Sequence, residues 1–156
     1  MNKKALLISI GSILVIAILG NIFIGDALTS WYLSLTKPWF LVPLWFFIVI
    51  GIIYYIMGGT LLYRAQIYIN DTKSKSNSIL LIYTMLVANE IWNYIFFGLR
   101  NLFLGFIGLI AFFLIAVILS YTLRKNDKIS FYIILPYLFW LIYDLIWTYA
   151  LFIING

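Results

Sequence analysis

Long apolar runs divided by short polar clusters give the chain its rhythm, and five of those runs are long enough for a membrane helix. Between Lys4 and Asp26 the run Ala5 to Gly25 carries no charge, enough to cross a hydrocarbon core about 30 Å thick. Lys3 and Lys4 precede it as in a signal peptide. The run nevertheless exceeds an apolar region of roughly 7–15 residues and lacks a small-x-small cleavage site, so it is read as the first spanning helix. The spacing predicts four more: about 43–63, ending at Arg64; about 78–98, ending at Arg100-Asn101; about 102–123; and about 129–154. The polar stretch 70–77 reads as an aqueous loop that needs no role beyond solvation. The connection 26–43 is the longest and is crowded with aromatics around Pro38 and Pro43. Two prolines stiffen it and Trp and Tyr favour the headgroup region, which predicts an ordered interfacial cap.

Two helices break the apolar pattern. At about 100° per residue, Asn89, Trp92, Asn93, Phe96 and Arg100 share one face of the third, with Glu90 and Phe97 at its edge. In the fifth, Trp140, Tyr143, Asp144 and Trp147 share a face, with Thr148 at its edge. An amide or carboxylate in hydrocarbon costs several kcal/mol unless paired or neutralised, so both stripes are expected to look inward. Such stripes serve either as interhelical glue or as the walls of a pocket, and the concentration of large rings favours a pocket. Glu90 and Asp144 lie roughly 18 and 20 Å along parallel helices, near the midplane, with no Lys or Arg inside either span. Gly51, Gly58 and Gly59 in the second helix are expected to let a neighbouring helix approach closely.

Composition agrees with this division. Of 156 residues 65% are hydrophobic and only 10% charged, well outside the range of soluble domains, which predicts an all-α integral membrane protein built as a bundle of five transmembrane helices in a single domain. Cysteine and histidine are both absent, removing disulfides, thiol chemistry, the usual zinc sites, His-based triads and His-ligated haem. No metal or other cofactor is expected. The net charge of +5 is scattered between apolar runs without the continuous stripe that nucleic acid needs, so no nucleic-acid partner is expected.

With these stretches placed, the chain resembles the TspO/MBR family, the tryptophan-rich sensory proteins related to the mitochondrial translocator protein. Trp31-Tyr32 with Leu35 and Lys37-Pro38, then Pro43, Tyr55 and Gly59, is similar to the family's first loop and second helix. Asn89, Trp92 and Phe96-Phe97-Gly98-Leu99-Arg100-Asn101 resembles its asparagine, tryptophan and FFGxR signature, and Pro136-Tyr137-Leu138-Phe139-Trp140 with Tyr143 its PYLxW helix. The resemblance implies a five-helix bundle, often a homodimer, with a pocket beneath the first loop that binds tetrapyrroles, sterols and synthetic aromatic ligands. It implies ligand-facing roles for Asn89, Trp92, Trp140 and Tyr143, and a lid formed by Trp31, Tyr32 and Pro43. The candidate site adds Gly51, Tyr55, Asn93, Phe96, Asp144 and Trp147. Four departures stand out: Gly51 where most members carry tryptophan, Asn93 for a usual serine, Asp144 for a small residue and Thr148 for asparagine.

The expected function is a receptor, sensor or carrier for a flat hydrophobic ligand such as a porphyrin, held in the lipid bilayer. Transport of a small or cationic solute through Glu90 and Asp144 is a second possibility. A third is light-dependent porphyrin breakdown, as reported for some family members. Catalysis is disfavoured, because the partner of Trp140 is missing at Gly51. Basic residues fix the expected orientation. Lys3, Lys4, Arg64, Lys73, Lys75, Arg124, Lys125 and Lys128 fall on one side and Lys37 and Arg100 on the other, which places the N-terminus inside, in a bacterial cytoplasmic membrane, and the cap outside. Because the chain has no cysteine, single cysteines introduced at Ser30 and Ser74 report topology cleanly. They should label from opposite faces, Ser30 from outside, and labelling of both from one face would contradict five spans.

Overall fold

The structure is a computed structural model and describes residues 2–156. It contains α1 (Lys3–Ile24), the single turn α2 (Trp31–Ser34), α3 (Leu44–Tyr68), α4 (Thr72–Asn93), α5 (Leu102–Asn126) and α6 (Lys128–Asn155), with a π-helical turn, Tyr94–Gly98, continuing α4. No strand occurs among the described residues. All five long helices are apolar enough to cross a membrane. They form a ring in the order α1, α3, α6, α5, α4, with α3 and α4 also meeting across it.

Helix ends match the hydrophobic pattern closely except at the start of α4 and the end of α3. The stretch 70–77, read as a loop, is mostly helical. Asp71 accepts a hydrogen bond from Ser74 N–H at 2.8 Å, so α4 starts at Thr72 and its polar first turns stand above the apolar part. The same hydrogen bonds to Ser74 hold the Asp71 carboxyl below its ordinary range. Pro43 is the residue before α3 rather than part of it, and α3 runs past Arg64 to Tyr68.

Beyond Asn93 the uniform 100° step fails. Leu99 N–H bonds to Tyr94 O at 2.8 Å, a wider π-type closure that fits one more residue into the turn. In consequence Phe96 and Phe97 are both buried, whereas Arg100 leaves the helix at φ 52°. Arg100 therefore does not share the inward face. It is exposed and pairs with Asp26 at 3.2 Å.

Packing is tightest in the half of the bundle that contains the N-terminus. Leu61, Leu62, Ala65, Ile82, Met85, Leu86, Leu119, Leu123 and Ile134 form a closed apolar core there. Gly58 admits Leu86, since a Cβ at that position would lie 2.7 Å from Leu86 Cδ2, and Gly59 faces Ile13 at 3.3 Å. Gly51 differs, with nothing within 4 Å of its Cβ direction. Polar clasps hold α1: Gln66 Nε2 donates to Ser9 Oγ at 3.0 Å, and the hydroxyls of Ser12 and Tyr83 meet at 2.7 Å.

One ion pair locks this end. Arg64 donates from Nε and Nη2 to the two oxygens of Asp127 at 2.9 and 3.0 Å, and Asp127 also accepts from Ser130 Oγ and Ile129 N–H, capping α6. Burial pushes the Asp127 carboxyl up, but the hydrogen bonds from Arg64 and Ser130 outweigh it and hold the group below the ordinary 3.8. A carboxyl depressed on folding contributes stability that is complete above its unfolded pKa and is lost as pH falls through the folded value. Thermal melting in detergent from about pH 6 to about pH 3 should thus show a decline that Asp127→Asn lacks. At neutral pH the same variant should lose about 1.5–3 kcal/mol, the worth of hydrogen bonds to charged groups.

Candidate functional site

In the opposite half of the bundle the helices separate around a cavity of about 390 Å³. Its walls come from α1 (Ala17, Asn21, Ile24), α3 (Leu44, Phe47, Gly51, Tyr54, Tyr55), α4 (Asn89, Trp92, Asn93), Phe97 of the π turn and α6 (Tyr137, Trp140, Asp144, Trp147), with Leu28 and Tyr32 from the 26–43 segment. The cavity is not closed. Asn21 on α1 and Ile48 and Ile52 on α3 line it while remaining exposed, so its mouth lies between these two helices.

Of the residues singled out from the sequence, Tyr32, Gly51, Tyr55, Asn89, Trp92, Asn93, Trp140, Asp144 and Trp147 line this cavity. Trp31, Pro43, Phe96 and Tyr143 do not. Phe96 is fully buried behind the wall, 5.3 Å from Trp92 and stacked on it, and Trp31 meets its edge at 5.5 Å. Tyr143 turns to the 26–43 segment instead, accepting from Val42 N–H at 2.9 Å. Asn21, Phe47, Tyr54 and Tyr137 enter the wall without having been marked by the sequence pattern. Two of them carried a signal without a role: Asn21 is the one amide in the first apolar run, and Tyr137 lies in the PYLxW-like stretch.

The segment above the cavity is tied down from several sides. Lys37 Nζ donates to the carbonyls of Tyr32, Leu33 and Leu35 at 2.9, 3.3 and 3.1 Å, closing the end of α2. Asn155 brackets Thr36, accepting from its N–H at 2.8 Å and donating to its carbonyl at 2.9 Å. With Tyr143 on Val42 and Arg100 on Asp26, the segment is fastened to α6 and to the end of the π turn. Tyr32 is thereby held over the cavity. Burial, with Tyr143 and Asp144 adding to it, pushes its phenol up to about 12, so it faces the cavity as a neutral hydroxyl.

The two carboxylates have different surroundings. Glu90 stands behind the wall and accepts from Tyr55 Oη at 2.9 Å, Asn89 Nδ2 at 3.1 Å and Asn93 Nδ2 at 2.9 Å. It lies directly against Gly20, where a Cβ would collide with Glu90 Oε2. Asp144 lines the cavity. Its Oδ1 accepts from Trp147 Nε1 at 2.7 Å, and the Trp140 indole is a second donor to the carboxylate. One turn on, Thr148 Oγ1 is buried without a hydrogen-bond partner among the described residues.

Aromatic rings fill the space around Asp144. Phe47 lies 5.6 Å from Trp140 and 5.3 Å from Trp147, edge to face in both cases, and Trp140 meets Tyr143 at 5.0 Å. Trp92 presents its ring to the cavity while its indole N–H is spent on Gly105 O at 2.9 Å.

Residues 9–154 match the TspO/MBR family, nearly the whole chain. The chain belongs to the TspO/MBR family. Over its full length it is 31% identical to a tryptophan-rich protein TspO of Archaeoglobus fulgidus, whose full length is likewise covered. A tryptophan-rich protein TspO of Chlorobaculum tepidum is 27% identical over 90% of each chain. Family membership and five apolar spans together make this an integral, multi-pass membrane protein.

The packing around Glu90 gives this TspO/MBR protein a sharp contrast between two glycines. Gly20→Ala drives a methyl into Glu90 and should destabilise the bundle by about 1–3 kcal/mol, as overpacking does. Gly51→Ala meets open space and gains helix propensity of up to about 1 kcal/mol, so it should be neutral or stabilising. Thermal denaturation of both variants in one detergent checks the difference, and equal losses would contradict the burial of Glu90 against α1.

Proposed function

We propose that this TspO/MBR protein is a membrane receptor, sensor or carrier that takes a flat hydrophobic ligand into the bundle cavity, with a porphyrin or other tetrapyrrole as the leading ligand class and a sterol-like ring system as a further fit. The observation that carries this reading is the cavity wall, where Tyr54, Tyr55, Trp92, Trp140 and Trp147 surround a space with few polar groups, the make-up of a site that binds aromatic molecules. The polar groups that do face it, among them Asn89, Asn93 and the Tyr32 hydroxyl, suit orientation of a ligand rather than bond breaking. The proposed orientation puts the N-terminus inside and the 26–43 segment outside.

Two observations favour binding over catalysis or relayed transport. Glu90 is engaged by three neutral donors and does not line the cavity, which leaves Asp144 as the one carboxylate there and no nucleophile and base in contact. At Gly51 the wall has an opening rather than a ring. Trp45, which could have filled it, is 62% exposed and pairs with Phe46 instead.

Titration of the purified protein with protoporphyrin, followed by tryptophan fluorescence, should show saturable quenching in the micromolar range, on the order of −8 kcal/mol, with little light-driven loss of the porphyrin. Gly51→Trp supplies a second stacking face next to open space. It should tighten binding by about 0.5–1.5 kcal/mol and raise photodegradation, with melting temperature unchanged. Absence of saturable quenching removes the receptor reading, and efficient degradation by the unmodified protein would make it an enzyme.

A further inference from the structure

Asp144 is 7% exposed, and the small area it keeps belongs to the cavity. Its carboxylate accepts from the Trp147 indole, with the Trp140 indole as a second neutral donor, and has no cationic partner among the described residues. The ion pairs present are Arg64 with Asp127 and Arg100 with Asp26, both outside the cavity, and no Lys or Arg lines it. Phe47 lines the same cavity and meets Trp140 and Trp147 edge to face. A carboxylate without a cationic partner in a cavity walled by aromatic rings is an environment that holds an organic cation: the carboxylate takes the N–H bond or the charge, and a free ring face of the wall attracts the positive rim. Glu90 offers no such end, because it does not line the cavity and is engaged by Tyr55, Asn89 and Asn93.

We infer that the cavity selects flat aromatic ligands carrying a protonated nitrogen on the ring system, seated at Asp144 between Trp140 and Trp147, and discriminates against ligands with an anionic group on the ring. This rests on the cavity reading above and narrows it. A porphyrin with acidic side chains enters only with those groups directed to the mouth between α1 and α3.

Three probes of one shape separate the two levels: acridine, 9-aminoacridine and acridine-9-carboxylate, at mildly alkaline pH where they are neutral, cationic and anionic respectively. Binding is read by equilibrium dialysis against the full chain in phosphatidylcholine nanodiscs, with empty nanodiscs subtracted. The cation should bind about tenfold or more tighter than acridine, as expected for a charge-assisted hydrogen bond, and the anion weakest. Asp144→Asn should bring 9-aminoacridine to the level of acridine while acridine itself is retained, and Glu90→Gln should keep the original order. If Asp144→Asn no longer holds acridine, Asp144→Ala replaces it in the comparison. Equal binding of the three probes by the unmodified protein, or an order unchanged by loss of the Asp144 carboxylate, overturns charge selection and leaves the cavity reading standing. Binding of none of them removes the cavity reading as well.

Discussion

A carboxylate in the middle of a membrane must find donors, and the way Glu90 finds them organises this bundle. Its partners are Tyr55 from α3 and Asn89 and Asn93 from its own helix, while α1 offers the bare backbone of Gly20 to let the group sit between helices. Three elements are thus brought together at one level by a polar group that hydrocarbon would otherwise exclude. Toward the N-terminal end from this level, α1, α3 and α4 close tightly at Gly58 and Gly59. In the other direction the surfaces part, Gly51 faces open space, and the cavity begins.

Above that level aromatic side chains replace aliphatic ones. Phe96 and Phe97 are both brought inside by the π turn, and through Trp92, Trp147 and Phe47 the rings continue to Trp140. Rings meeting edge to face leave gaps of a shape that another ring can use, whereas branched aliphatic chains would interdigitate and fill them. The fastened 26–43 segment keeps this arrangement from collapsing, because its backbone groups are held by Tyr143, Asn155 and Lys37 rather than by packing into the space below.

The five spans were legible because hydrocarbon imposes a length and an apolar composition that few other constraints imitate. The two polar-aromatic stripes were legible for the same reason, as polar residues in a lipid-facing position are disfavoured. Local deviations were not. Nothing in Tyr94 to Gly98 announces a π turn, so the exit of Arg100 from the inward face depended on one backbone hydrogen bond. Nor could helical spacing alone say that Gly58 packs against a neighbouring helix while Gly51 faces open space, or that Glu90 is enclosed while Asp144 lines the cavity, since these differences lie in what the neighbouring helices bring. Asp71 could have been read as a cap, but a run of polar residues after it reads equally well as solvated loop. Tyr54 lies on a helix without a polar-aromatic stripe, and Tyr137 precedes the stripe that runs from Trp140 to Trp147, so the stripes alone gave them no place in the wall they line.

The mouth between α1 and α3 changes what concentration means for this site. Asn21, Ile48 and Ile52 border it within the apolar helices α1 and α3, so a ligand of the proposed class would reach the cavity from the bilayer and not from the water on either side. A hydrophobic molecule is already enriched there by partitioning, which means that modest contacts within the cavity suffice for occupancy. Two ligands of equal fit would be ranked by their solubility in lipid, and the thickness and composition of the host membrane become part of the binding equilibrium.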